Sequence, residues 1–125
     1  MKLAVYGSRT WKNQEMITDA LRQAGDYQLL TLYQPGACAL AAKEARSQGN
    51  KVSLKEVRFT TFARRAIMAA LSEIFSEAEM IYIFWDSKNS GHAVELARRS
   101  GRPLKVWGPE GEMPDWESGG QQQLC

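Results

Sequence analysis

Short polar stretches that follow apolar runs carry the residues best suited to chemistry in this sequence. Gly7, Ser8, Arg9 and Thr10 come directly after the apolar run Leu3–Tyr6. A glycine at that point lets a ligand approach the backbone, and hydroxyl, amide and guanidinium groups hold phosphate oxygens. The stretch therefore predicts a phosphate-binding loop, although an ordinary polar turn between a strand and a helix explains the same residues.

A second polar stretch follows the most apolar run of the chain, Met80–Trp85. It ends at the start of a predicted helix, where free backbone amides bind phosphate. The alternative is that Asp86 only caps the loop and that His92 is an ordinary polar loop residue. The residues that we predict to contact a ligand here are Asp86, Ser87, Asn89, Ser90, Gly91 and His92.

A third stretch, Gln34-Pro35-Gly36-Ala37, lies at the carboxyl end of a predicted strand and opens a helix, and Pro35 and Gly36 are its candidate ligand-binding residues. The free amides and the dipole of a helix start attract anions, so this position also predicts ligand binding. A simple turn with a proline stop is the alternative.

Three further candidate residues are charged and lie inside predicted helices. Arg64 and Arg65 fall in a first helical turn, where the helix dipole disfavours positive charge, and this predicts an anionic ligand. Two solvated arginines, paired with Glu56, are the alternative. Glu95 is placed to bind a sugar hydroxyl or to act as a base. Its i,i+4 spacing from Arg99 equally predicts a surface ion pair.

Composition and motifs exclude several classes of protein. The 125 residues fit one domain, and the net charge of +2 is too small to indicate a nucleic-acid or membrane surface. No run reaches the roughly 18 apolar residues of a membrane span, and no signal peptide is recognised, so we expect a cytoplasmic protein. Two cysteines and one histidine predict neither a zinc site nor a disulfide framework. P-loop, G-x-G-x-x-G and G-x-S-x-G motifs are absent, and we expect no cofactor.

The polar stretches are positioned by alternating strands and helices. This alternation predicts an α/β, Rossmann-like three-layer sandwich with a five-stranded parallel sheet in the order 3-2-1-4-5. The first and fourth strands then flank the point where the strand order reverses, so their polar loops should meet. We assign residues 1–108 to this domain and residues 109–125 to a loose tail. The predicted strands are Leu3–Tyr6, Leu29–Tyr33, Val52–Leu54, Met80–Trp85 and Leu104–Trp107. The predicted helices are one capped by Asn13 and closed by Gly25, Ala37–Gln48, one capped by Thr60 or Thr61, and Ala93–Ser100.

Two blocks of the chain resemble the SLOG superfamily, in particular its small stand-alone YspA/YpsA-like members. They are the opening block MKLAVYGSRTW and the closing block FWDSKNSGHAVELARRSGRPLKVW. More distantly, RRAIM from Arg64 to Met68 is similar to the R-K-x-x-M motif of the Lonely Guy phosphoribohydrolases. SGHAVE from Ser90 to Glu95 is similar to the G-T-x-x-E end of their second motif, with His92 in place of threonine and no preceding Pro-Gly-Gly.

The resemblance implies a pocket for a nucleotide or a nucleotide-derived ligand, such as an ADP-ribose-like molecule or a nucleoside monophosphate. We expect the chain to bind this ligand as a sensor, carrier or sink. The alternative is a phosphoribohydrolase that cleaves the N-glycosidic bond of a nucleoside 5′-monophosphate, with Arg64 and Glu95 as its catalytic pair. DNA binding, known for one branch of the superfamily, is disfavoured by the low net charge. Since relatives pair through their helices, a homodimer is expected.

Overall fold

The computed structural model describes residues 1–57, 63–86 and 91–113. In these residues, strands and helices alternate as the sequence predicts. The strands are β1 (Lys2–Gly7), β2 (Gln28–Leu32), β3 (Val52–Lys55), β4 (Met80–Phe84), β5 (Leu104–Gly108) and β6 (Gly111–Glu112). The helices are α1 (Gln14–Gln23), α2 (Ala37–Ser47), α3 (Ala63–Glu77) and α4 (Gly91–Arg99). None of these helices is both long enough and apolar enough to cross a membrane.

All strands of the described residues belong to one sheet with the order β3-β2-β1-β4-β5-β6. The α/β class is therefore confirmed, and the arrangement is consistent with a Rossmann-like fold. The predicted strand count and order are wrong at one edge, because β6 adds a sixth, antiparallel strand beside β5. Gly111, with φ of 130°, is the first residue of β6 and follows the tight turn at residues 109 and 110. Since β6 lies within residues 109–125, the sheet extends into the predicted tail, and residues 114–125 lie outside the described residues.

Two apolar cores lie on opposite faces of the sheet. One contains the inward side chains of α3 and α4, such as Leu71, Phe75 and Val94. The other contains Ile17 and Leu21 of α1 together with the four buried alanines of α2. Helices on both faces explain why the central strands are apolar without alternation.

Local sequence signals set the start of α1. The side-chain oxygen of Asn13 accepts a hydrogen bond from the amide of Met16 at 3.1 Å, which confirms the predicted helix cap. Gly25 follows the helix with φ of 77°. The predicted cap of α3 at Thr60 or Thr61 lies outside the described residues.

The strands β1 and β2 part toward their carboxyl ends. Their pairing ends at Ala4 opposite Leu30, whereas β1 stays paired with β4 as far as Gly7. Past the last pair, the Thr31 hydroxyl donates a hydrogen bond to the carbonyl oxygen of Val5 at 2.6 Å. A side chain thus satisfies a buried carbonyl that the strand pairing leaves open. This opening in the sheet receives the start of α2.

Candidate functional site

Ser8 connects three loops at the carboxyl edge of the sheet. Its side-chain oxygen accepts a hydrogen bond from the amide of Asp86 at 3.0 Å, which joins the loop after β1 to the loop after β4. Its carbonyl oxygen accepts from Ala37 at 3.0 Å and from Trp11 at 3.2 Å. The predicted meeting of the loops after β1 and β4 is therefore present, and the loop after β2 joins them.

Asp86 carries the negative charge of this meeting point. Its carboxylate accepts a hydrogen bond from the Thr10 hydroxyl at 2.5 Å, and the residue is partly buried. Thr10 is exposed and Ser8 is buried. An ionised carboxylate accepts hydrogen bonds and repels phosphate, so Asp86 suits the hydroxyl groups of a ligand. We call the surface formed by Ser8, Thr10 and Asp86 the switch-point crevice, since it lies between β1 and β4.

The start of α2 fits tightly against the loop after β1. Gly36 has φ of 82°, and a Cβ atom built on it would lie 2.2 Å from the Ser8 carbonyl oxygen. A Cβ atom on Gly7 would lie 2.6 Å from the Cβ atom of Ala37. Because both residues lack a side chain, the neighbouring parts of the chain can lie in direct contact with them. The Ala37 amide already donates to Ser8, so an anion at this helix start would use other amides of the first turn. Ligand binding by Pro35 and Gly36 stays a prediction.

Glu95 makes the ion pairs that its spacing allows. Its carboxylate lies 3.5 Å from Nε of Arg99 and 3.8 Å from an Nη atom of Arg98, and its side chain is 53% exposed. The alternative prediction of a surface ion pair with Arg99 is therefore confirmed. Since an exposed pair contributes little energy, Glu95 remains able to exchange partners.

The structure describes only some of the other predicted site residues. Arg65 is exposed on α3, and it has an interaction within the protein. His92 is exposed in the first turn of α4. Arg64 and Gly91 belong to α3 and α4, but the side chain of Arg64 lies outside the described part of the chain. The residues Ser87, Asn89 and Ser90 lie outside the described residues altogether.

A buried polar cluster behind the crevice escaped the sequence analysis. The Gln34 side chain, only 7% exposed, donates from Nε2 to the Gly7 carbonyl oxygen at 3.3 Å and to Sγ of Cys38 at 3.5 Å. Burial raises the pKa of the Tyr6 hydroxyl, and the adjacent Cys38 adds to this rise. Arg9 and the hydrogen bond with Gln34 act in the opposite direction. The only sequence signal for this cluster was the position of Gln34 directly after a strand.

A groove opens beside this cluster, between α2 and the carboxyl ends of β2 and β3. Its volume is about 680 Å³. We call it the β2–β3 groove, and its lining residues are Leu32, Tyr33, Gln34, Pro35, Ala39, Ala42, Arg46, Leu54, Glu56 and Val57. No sequence pattern indicates this groove, because its walls come from three separate elements.

Metal binding has no support in the described residues, which contain no group of three or more His, Cys, Asp or Glu side chains that could hold an ion.

Comparison with known proteins adds no family assignment. No protein-family model matches the sequence, and no curated protein matches it.

Proposed function

We propose that this chain binds a nucleotide or a nucleotide-derived ligand, such as an ADP-ribose-like molecule or a nucleoside monophosphate, at the carboxyl edge of its sheet. It would act as a sensor, carrier or sink of that ligand. The observation that carries this proposal is the junction at Ser8, which bonds to Asp86 and Ala37 and so holds three loops together. In parallel α/β sheets, ligands bind outside the carboxyl ends of the strands, where the strand order reverses.

The charges at the switch-point crevice suggest how such a ligand would lie. Two unit charges 4 Å apart repel by about 1 kcal/mol in water and by about 4 kcal/mol near a protein surface. A phosphate would therefore avoid Asp86, whereas the hydroxyl groups of a ribose would donate hydrogen bonds to its carboxylate. The start of α4 offers backbone amides and the positive end of a helix dipole, which favour the phosphate. A ribose phosphate combines both groups in one molecule.

Calorimetry with purified protein tests this function. The panel is ADP-ribose, cyclic ADP-ribose isomers and nucleoside monophosphates, measured with the wild type and with Asp86→Asn. Asparagine keeps an oxygen that accepts from Thr10 but removes the charge, so the loops should keep their positions. Because a hydrogen bond to a charged group contributes about 1.5–3 kcal/mol, we expect affinity to fall by at least about tenfold.

Asp26→Asn is the matched control, since Asp26 is an exposed aspartate in the turn before β2, at the opposite edge of the sheet. It should bind like the wild type. If no member of the panel binds the wild type, or if Asp86→Asn binds as tightly as the wild type, the proposal is refuted.

A further inference from the structure

The peptide group between Gly7 and Ser8 lies at the end of β1, directly before the switch-point crevice. Its N–H group, on Ser8, donates a hydrogen bond to the Phe84 carbonyl oxygen of β4 at 2.9 Å. The N–H and C=O groups of a trans peptide point in opposite directions, so the Gly7 carbonyl oxygen points away from β4 and toward the side of β2. Because the pairing of β1 with β2 has already ended at Ala4, strand pairing supplies no donor to this oxygen.

The side-chain amide of Gln34 supplies that donor. Its Nε2 atom donates to the Gly7 carbonyl oxygen at 3.3 Å and to Sγ of Cys38 at 3.5 Å. Its Oε1 atom is buried and accepts no hydrogen bond from the described residues. Turning the amide over would bring this oxygen against the Gly7 carbonyl oxygen, and two acceptors repel each other. The observed orientation therefore keeps the bond to Gly7, although it leaves a buried oxygen without a donor, which is normally unfavourable.

The Gly7–Ser8 peptide group is thus held on both sides, and this sets the direction in which Ser8 leaves the strand. The Ser8 side-chain oxygen lies 3.0 Å from the Asp86 amide, and the Ser8 carbonyl oxygen lies 3.0 Å from the Ala37 amide. A peptide group that is held on the β4 side alone can tilt about the strand axis. Such a tilt would move both Ser8 oxygen atoms away from their donors.

We infer that Gln34 is a positioning residue of the switch-point crevice. It does not touch the ligand; through the Gly7 carbonyl group it holds Ser8 at the place where the three loops meet. This inference rests on the proposed function. It also accounts for a buried glutamine whose side-chain oxygen has no partner among the described residues.

Two substitutions of similar size distinguish positioning from a contribution to stability. Gln34→Met removes the donor to Gly7, but it also removes the oxygen that lacks a partner, so two effects of opposite sign offset each other. Thr31→Val removes the hydrogen bond of 2.6 Å to the Val5 carbonyl oxygen, two residues earlier in β1, without such an offset. In urea denaturation, Gln34→Met should therefore stay close to the wild type, whereas Thr31→Val should unfold at a lower urea concentration.

Ligand binding should show the reverse order. Calorimetry measures ADP-ribose and AMP with the wild type and with each variant. In Gln34→Met, the loop at Ser8 must be ordered again when the ligand binds, at about the free energy of one hydrogen bond, so we expect affinity to fall about fivefold to tenfold. Thr31→Val should bind within about twofold of the wild type. Cys38→Ala removes the second acceptor of Gln34 and keeps the bond to Gly7, so it should also bind within about twofold.

Nuclear magnetic resonance of the free proteins gives a readout that needs no ligand. The Asp86 amide donates to the Ser8 side chain, so its resonance reports a movement of Ser8. This resonance should shift in Gln34→Met and stay near its wild-type position in Cys38→Ala.

The outcomes separate this inference from the proposed function. If ADP-ribose or AMP binds the wild type and depends on Asp86 while Gln34→Met binds as tightly, or if the Asp86 resonance does not shift in that variant, the role of Gln34 is overturned and the crevice stands. If Gln34→Met is as unstable as Thr31→Val, or if both variants lose the same affinity, Gln34 acts on stability and the inference is equally overturned. If no member of the nucleotide panel binds the wild type, the proposed function falls, and this inference falls with it.

Discussion

Replacing Gly36 by alanine tests whether the loops after β1 and β2 depend on their close contact. Gly36 has φ of 82°, and a Cβ atom there would lie 2.2 Å from the Ser8 carbonyl oxygen and 2.5 Å from the carbonyl carbon of Arg9. Real Cβ atoms essentially never lie that close to other heavy atoms. Both neighbours are backbone atoms, so no side chain can rotate away. The two loops must separate to accommodate the substitution.

Gly49 provides a control for a positive φ in open surroundings, whereas Gly36, with ψ of −137°, also lies outside the left-handed helical region. Gly49 also has φ of 82°, but a Cβ atom there would meet nothing within 4 Å. A left-handed conformation costs a residue with a side chain about 1–2 kcal/mol, and the lower entropy of the unfolded chain offsets part of this. We therefore expect Gly49→Ala to lower the free energy of unfolding by about 1 kcal/mol.

Gly36→Ala should add two further losses to that cost. Separation of the loops breaks the hydrogen bond from Ala37 to Ser8, which contributes about 1 kcal/mol. Overpacking of a tight site costs about 1–3 kcal/mol more. We expect a total loss of about 3–5 kcal/mol, which is a large part of the stability of an ordinary domain.

Urea denaturation followed by tryptophan fluorescence measures both variants against the wild type. A single domain of this size normally unfolds in one cooperative step, so the free energies can be compared directly. The difference between Gly36→Ala and Gly49→Ala should be about 2–4 kcal/mol. A difference below about 1 kcal/mol would refute the loop contact and, with it, the junction at Ser8 that supports the proposed function.

Two other expectations concern side chains on the helices. The Thr18 hydroxyl donates to the Glu44 carboxylate at 2.6 Å, and this hydrogen bond is the main cause that lowers the pKa of Glu44 below 4.5. A carboxyl group whose pKa is lowered in the folded state stabilises the fold at pH values above its unfolded-state pKa. This stabilisation is lost as the pH falls through the folded-state pKa. Thr18→Val should therefore lower the free energy of unfolding by about 0.5–1 kcal/mol at pH 7 and by progressively less below about pH 4. Equal losses at pH 7 and pH 3 in urea denaturation would argue against this role of the hydrogen bond. For the phosphoribohydrolase alternative, release of free base from nucleoside monophosphates should fall at least about 100-fold in Glu95→Gln, and equal release by wild type and variant would remove that alternative.

Hydrophobic periodicity was enough to predict the main elements of the fold. The apolar run Met80–Trp85 predicts β4, which the structure places at Met80–Phe84 in the centre of the sheet. Alternating strands and helices predict that β1 to β5 run parallel, because each helix must cross over the sheet between them. The strand β6 could not be predicted, since two residues carry no periodicity and are held by their pairing with β5.

The candidate site was predictable in position but not in detail. That loops meet beyond β1 and β4 follows from strand order, and Ser8 and Asp86 confirm it. That Ser8 would be buried and bonded to three backbone amides does not follow, because those bonds depend on neighbouring loops. The burial of Gln34 was equally hidden, since its partners on Gly7 and Cys38 come from another strand and a helix.

The parting of β1 and β2 explains the position of the switch-point crevice and of the β2–β3 groove. Had the two strands stayed paired to their ends, the carbonyl oxygens of Val5 and Gly7 would bond to β2, and Gln34 would not be needed there. Because they part, the start of α2 enters between them, and Ala37 reaches Ser8. Because of this separation, the chain from Tyr33 to Gly36 runs along the sheet edge, with the groove on one side and the crevice on the other. One opening in the parallel sheet thus places the groove and the crevice side by side.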